Sequence, residues 1–252
     1  EIYPRMMGAQ VDMVPVTAAM EFDVPAWCEA LAGSARPAKL AILSNPSNPV
    51  GCMLDGAAFD RIVQAASPET LLVIDEAYYE YARLSPGFPD ALSRLRRQAR
   101  PWIVLRTFSK AWGLAGLRVG YGLASNASLV QMVDRVRTPF NVNMAAQAAA
   151  LAAWGEPDHM TEGVRATVAQ REHMTAQLRA LGVSVAPSVA NFLFLDLRRP
   201  NGPVAEALLA RGIIIKPWKE AGYETFIRVS IGTAADNQRF VAALADILRH
   251  GA

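Results

Sequence analysis

The chain has 252 residues, 52% hydrophobic and 19% charged, which excludes a disordered or collagen-like polymer and leaves room for one large domain or two smaller ones. With 25 Lys plus Arg against 23 Asp plus Glu the net charge is +2, too small to make nucleic acid or an anionic membrane the main partner. Cys28 and Cys52 match no metal spacing or disulfide framework, so the expectation is a reducing cytoplasm and no metal. No run approaches the roughly 18 apolar residues of a membrane span, and no basic segment followed by an apolar one opens the chain.

The chain opens at Glu1, not Met, and 1–16 read as the middle of a domain, an expectation that this is a processed or truncated piece. Leu40 to Leu43 reads as a buried strand, followed by the turn-rich Ser44-Asn45-Pro46-Ser47-Asn48-Pro49-Val50-Gly51. Asp55 is placed to cap a helix whose face carries Ala58, Phe59, Ile62, Val63 and Ala66. Strands are predicted at Leu71 to Ile74, ending in Asp75-Glu76-Ala77-Tyr78, and at Trp102 to Leu105, running into Arg106-Thr107-Phe108-Ser109-Lys110. Between them the basic run Arg94, Arg96, Arg97, Arg100 reads as a solvated helix face. Leu117 to Leu123 reads as a further strand, Met144 to Trp154 as a helix, and Asp158 to Leu181 as a helix long enough to bridge two domains, with Met160, Val164, Val168, Leu178 and Leu181 on one face.

Beyond Gly182 short strands are expected at Val183 to Val185, Phe192 to Leu197, Ile213 to Ile215 and Phe226 to Ile231, with helices near Pro203 to Arg211 and Asp236 to Arg249. Alternating strands and helices define an α/β chain, divided into a large domain over 1–157 and a smaller α/β domain over 158–252. The histidines His159, His173 and His250 fall on helices with no ligand or triad pattern and read as surface residues.

Polar residues cluster just beyond the C-terminal ends of the first three strands, where open α/β sheets place ligands. Lys110 follows a strand end within Ser109-Lys110-Ala111-Trp112-Gly113-Leu114-Ala115-Gly116-Leu117-Arg118. Burial at such a place favours the neutral amine, the form that acts as nucleophile or Schiff-base former. Asp75 ends an apolar strand, where a carboxylate calls for a cationic partner, and a pyridinium nitrogen would serve. A magnesium site would also suit it, but no Gly-x-x-x-x-Gly-Lys-Ser/Thr loop accompanies it. In Ile227-Arg228-Val229-Ser230-Ile231 strand alternation turns Arg228 away from the face of its apolar neighbours. Trp112 and Trp218 flank these loops, and aromatic packing is the expectation for both.

Taken in order, Asn45-Pro46-Ser47-Asn48-Pro49-Val50-Gly51, Asp75-Glu76-Ala77-Tyr78, Arg106-Thr107-Phe108-Ser109-Lys110, Gly116-Leu117-Arg118-Val119-Gly120-Tyr121 and Ile227-Arg228-Val229-Ser230-Ile231-Gly232 resemble the fold-type I aminotransferases that depend on pyridoxal 5'-phosphate, closest to the histidinol-phosphate group. The resemblance implies that Lys110 carries the cofactor and moves the substrate α-proton, and that Asp75 holds the ring nitrogen protonated. Tyr78 and Asn48 would meet the ring 3' oxygen, Ser109 and Arg118 the cofactor phosphate, and Arg228 the substrate carboxylate. Asn191 would contact substrate or simply start its strand, and Lys216 stands where many relatives carry an arginine near the substrate phosphate. The implied reaction is transamination between L-histidinol phosphate and 2-oxoglutarate by a homodimer. A threonine-phosphate decarboxylase, an aromatic aminotransferase or an inactive aminotransferase-like piece are the alternatives.

Departures from the family pattern are an absent N-terminal segment, Val50 in place of a threonine, and lysine for arginine at Lys216. The first implies that these 252 residues alone bind the cofactor weakly, because phosphate donors, a stacking aromatic and an intersubunit arm belong to that segment.

Overall fold

Two short helices, α1 (Ile2–Met6) and α2 (Val24–Ala32), lead into strand β1 (Leu40–Ser44), helix α3 (Gly56–Ala65) and strand β2 (Leu71–Asp75). Helices α4 (Tyr79–Ala82) and α5 (Ala91–Leu95) precede β3 (Trp102–Thr107) and β4 (Gly120–Ala124), and α6 (Ala127–Val136), α7 (Met144–Trp154) and the long α8 (Pro157–Ala180) follow. This computed structural model describes residues 2–33 and 37–250; the opening residue Glu1 lies outside them. The strands form one sheet in the order β1-β2-β3-β4, the first three parallel and β4 antiparallel to β3. Parallel register brings Ser44 and Asp75, the last residues of their strands, into one row with Leu105 of β3.

Asp55 caps α3 as expected: its Oδ1 accepts from the Ala58 amide at 2.8 Å. The cap fixes the helix so that Phe59, Ile62 and Val63 are buried against Ala41, Leu43, Leu72, Ile74, Trp102 and Val104 of the sheet, each such side chain contributing about 1.5 to 3 kcal/mol. β1, expected as a buried strand, is buried on one face only. It alternates, with Leu40 and Ile42 44% and 50% exposed, because among the described residues the helices that pack here cover only the other face.

The second sheet is built from β5 (Ser184–Val185), β6 (Phe192–Asp196), β7 (Lys216–Pro217) and β8 (Phe226–Ser230), in the antiparallel order β5-β6-β8-β7. Helices α9 (Asn201–Ala210) and α10 (Ala234–His250) complete it with the C-terminal half of α8. Their contact faces include Met174, Leu178, Val204, Leu208, Phe240, Leu244 and Ile247. The N-terminal half of α8 instead gives Met160 and Val164 to a cluster with Tyr78, Tyr81, Ala190 and Phe192. One helix therefore ties the small sheet to the β2 strand end.

Several expectations are corrected. Ile213 to Ile215 are not a strand: the Ile213 amide bonds the Leu208 carbonyl after Gly212 at φ +73°, so the segment closes α9, and β7 starts only at Lys216. Leu117 ends a 3-10 turn (Ala115–Leu117), and Arg118 in the left-handed region delays β4 to Gly120. Leu181 is the exposed residue that ends α8, not part of its packed face. The basic run is no helix face, since α5 stops at Leu95; Arg94 pairs with Asp60 and Arg100 donates to the Ala66 carbonyl. The histidines are exposed as expected. Among the described residues no helix is long and apolar enough to cross a membrane, and no group of His, Cys, Asp or Glu is arranged to hold a metal.

Candidate active site

The ends of β2 and β3 and the loop that follows β3 enclose a cavity of about 320 Å³ whose lining includes Asp75, Ser109, Lys110 and Arg118. Asp75 is the last residue of β2, and its Oδ1 accepts from the Ala77 amide at 2.9 Å, which turns the chain and fixes the carboxylate at the cavity wall. It has no ion-pair partner among the described residues, so the predicted cationic partner is not supplied by a protein side chain.

Lys110 is held by its loop. The Ser109 amide donates to Thr107 Oγ1 at 3.0 Å, the Phe108 amide to the Val119 carbonyl at 3.1 Å, and the Gly113 amide to the Lys110 carbonyl at 3.0 Å. The Lys110 amine lies 5.4 Å from the centre of the Tyr78 ring. Arg118 takes φ +57°, ψ +49°, a conformation uncommon for a residue with a side chain, and Nη1 donates to Ser109 Oγ at 3.2 Å and to the Ala115 carbonyl at 2.7 Å. Hydroxyl and guanidinium thus meet on one wall.

A second group, outside the lining of that cavity, approaches Tyr78 from the small sheet. Arg228 of β8 donates from Nη1 to Asn48 Oδ1 at 2.5 Å, and its guanidinium stands 5.1 Å from the Phe192 ring and 5.8 Å from that of Trp218. Phe192 packs edge-on against Tyr78 at 5.2 Å, closing the path back to Lys110. Burial raises the Tyr78 phenol above its ordinary range; the Arg228 guanidinium pulls it back and the Asp75 carboxylate adds to the rise. The turn that carries Asn48 is set by Gly51 at φ +95°, against which an added Cβ would strike Ser188.

Five predicted residues lie outside the cavity lining: Asn48, Tyr78 and Arg228, which form the adjoining group just described, and Asn191 and Lys216. Asn191 precedes β6, and its carbonyl accepts from the Ile231 amide at 2.9 Å. Lys216 is exposed, and its register partner on β8 is Arg228. Val50, the departure from threonine, is buried with Cys52, Ala186, Phe194 and Phe226, an apolar setting that suits valine. Trp218 packs edge-on against Phe194 at 5.6 Å, as expected.

Sequence reasoning missed the polar support beneath the site. Arg106 donates from Nε and Nη2 to Glu76 Oε2 at 2.9 and 2.8 Å and stacks 3.5 Å over the Tyr79 ring. Trp112, besides packing on Trp154, donates to Glu80 Oε1 at 3.1 Å. Burial pushes the Glu76 carboxyl up to about 7 against the pull of Arg106, and Glu80 is likewise raised by burial. Their spacing in Asp75-Glu76-Ala77-Tyr78-Tyr79-Glu80 was the available signal. A larger cavity of about 530 Å³ lies between Val183, Arg198 and Leu248, away from all the residues above. The smaller one is the candidate because amine, carboxylate, hydroxyl and guanidinium converge there.

The family model for aminotransferase class I and II matches residues 3–244, and the chain belongs to that family. Among its relatives, histidinol-phosphate aminotransferase 3 of Rhizobium meliloti (strain 1021) is 47% identical over 247 residues, which are 98% of this chain and 66% of that protein. Histidinol-phosphate aminotransferase 1 of Mesorhizobium japonicum is 45% identical, with 98% and 66% covered. The chain therefore spans just under two thirds of the length of these relatives. The crystal structure of histidinol-phosphate aminotransferase from Sinorhizobium meliloti, in complex with pyridoxal-5'-phosphate, superposes with a TM-score of 0.88 at 29% identity over 100% of this chain and 67% of that one. L-threonine-O-3-phosphate decarboxylase from Porphyromonas gingivalis superposes at 0.76 with 25% identity, over 97% and 72%.

Proposed function

We propose that this chain is the body of a pyridoxal-phosphate-dependent aminotransferase that moves an amino group between L-histidinol phosphate and 2-oxoglutarate. The observation that carries the reading is the convergence of Asp75, Ser109, Lys110 and Arg118 on one cavity. That donor set suits the cofactor group by group: a carboxylate for the ring N–H, a hydroxyl and a guanidinium for the phosphate, an amine for the aldehyde. When bound, the cofactor supplies an electron sink for the pair left behind when the substrate Cα–H bond breaks.

The chain's own residues do the rest. Lys110 Nζ takes the proton from the substrate α-carbon and returns it. Asp75 keeps the ring nitrogen protonated, and Tyr78 and Asn48 orient the ring through its 3' oxygen. Arg228, already bonded to Asn48, binds the carboxylate of the glutamate and 2-oxoglutarate half-reaction. Lys216 serves the substrate phosphate, and Asn191 contacts the substrate. Support for the substrate comes from the histidinol-phosphate aminotransferases at 47% and 45% identity.

The working unit is a homodimer of the cytoplasm, with a cofactor-binding part over 1–157 and a smaller part over 158–252. Free Cys28 and Cys52 suit a reducing compartment. Val136, Phe140, Met144 and Leu151, all more than three quarters exposed, suit an apolar contact with a second copy.

The test is turnover by the purified full-length protein. Loss of 2-oxoglutarate that depends on histidinol phosphate is expected. Release of carbon dioxide from threonine phosphate, or transfer from aromatic amino acids alone, would replace the substrate assignment.

A further inference from the structure

Glu76 and Glu80 are 1% and 5% exposed, and the function proposed above uses neither. Burying a carboxylate is unfavourable, and an apolar side chain of similar size fills the same space at lower cost, so packing alone does not account for either. Each leaves its own segment to grip the chain on one side of Lys110. Glu76 holds Arg106, before the lysine, through two hydrogen bonds to Oε2. Glu80 holds Trp112, after it, through the bond from the indole N–H.

Asp75 and Ala77, interleaved with these residues, line the cavity. The segment after β2 therefore does two jobs by alternate residues. The Lys110 amine itself makes no hydrogen bond to the described residues beyond its approach to the Tyr78 ring. Its position follows from that of its loop. Stacking on Trp154 at 5.5 Å sets the plane of the Trp112 ring, and the bond to Glu80 sets its rotation within that plane.

We propose that Glu76 and Glu80 are positioning residues that clamp the Lys110 loop from both sides and so fix the lysine in the cavity that Asp75 also lines. The inference rests on the cofactor reading above, and a displacement of an angstrom at a reacting group can lower turnover by about a hundredfold.

The experiment uses the full-length protein with Glu76→Leu, Glu80→Leu, Trp112→Phe and the conservative Glu76→Gln and Glu80→Gln. The Leu and Phe variants are expected to lose roughly tenfold in kcat with KM within about twofold of wild type. In the apoprotein, amide exchange in the peptide spanning 107–113 should accelerate by about tenfold in those variants, while the Gln variants, which keep an acceptor oxygen, stay near wild type. If either Leu variant fails to fold, Trp112→Phe and the Gln pair carry the comparison. Unchanged kcat and unchanged loop exchange, with only a lower Tm, would overturn the proposal. A wild type that takes up no pyridoxal phosphate defeats the function reading, while exchange in the apoprotein still decides the clamp.

Discussion

Arg228 Nη1 and Asn48 Oδ1 meet at 2.5 Å across 180 residues of chain, joining the small sheet to the turn after β1. The bond holds an arginine that also stands beside two aromatic rings, Phe192 and Trp218, and fixes the guanidinium in a partly apolar setting where a carboxylate gains strongly from pairing with it.

Arg228→Ala is therefore expected to raise KM for 2-oxoglutarate and to lower kcat/KM by about 10- to 150-fold, the range of a charged hydrogen bond of about 1.5 to 3 kcal/mol. Steady-state kinetics with varied 2-oxoglutarate reads it. An unchanged KM would remove Arg228 from the substrate site.

Asp75→Asn should lower turnover far more than cofactor affinity. A carboxylate beside the ring nitrogen acts most strongly as charge develops in the transition state, and losses of about a hundredfold or more in kcat are expected. Titration of the apoprotein with pyridoxal phosphate, run beside the rate assay, separates the two quantities. Equal losses in both would place Asp75 in binding alone.

Glu76 predicts a pH effect on stability. Burial raises its carboxyl from 4.5 to about 7, with Arg106, the Ala91 amide and Asp90 as its polar neighbours. A raised folded-state value means that the stabilising contribution of the protonated carboxyl is complete below about 4.5 and is lost as pH climbs through 7. Wild type should therefore lose stability relative to Glu76→Gln between pH 4.5 and 8, by roughly 2 to 3 kcal/mol. Urea unfolding of both proteins at the two pH values measures the difference. A wild type that gains on Glu76→Gln as pH rises would mean the Arg106 pair outweighs burial.

The strand ends that carry Asp75 and Lys110 were legible in the sequence because short apolar runs between turn residues mark strands, and α/β sheets place ligands at their C-terminal ends. Asp55 was legible as a cap for the same local reason. What stayed hidden depends on contacts between residues far apart in sequence. Nothing near Glu80 announces that its partner is Trp112, and nothing near Ile213 distinguishes an apolar run that closes a helix from one that pairs in a sheet. Arg118 was read inside a strand because its left-handed backbone has no glycine or asparagine to signal it. The open face of β1 was hidden too, since alternation shows which residues share a face but not what covers it.

The central claim is that Lys110 is the residue that takes the cofactor, and borohydride reduction of the full-length protein loaded with pyridoxal phosphate, followed by peptide mapping, tests it most directly. The account predicts a stable pyridoxyl label on Lys110 alone; a label on Lys39, Lys216 or Lys219, the other lysines of the chain, with Lys110 unmodified, would contradict it.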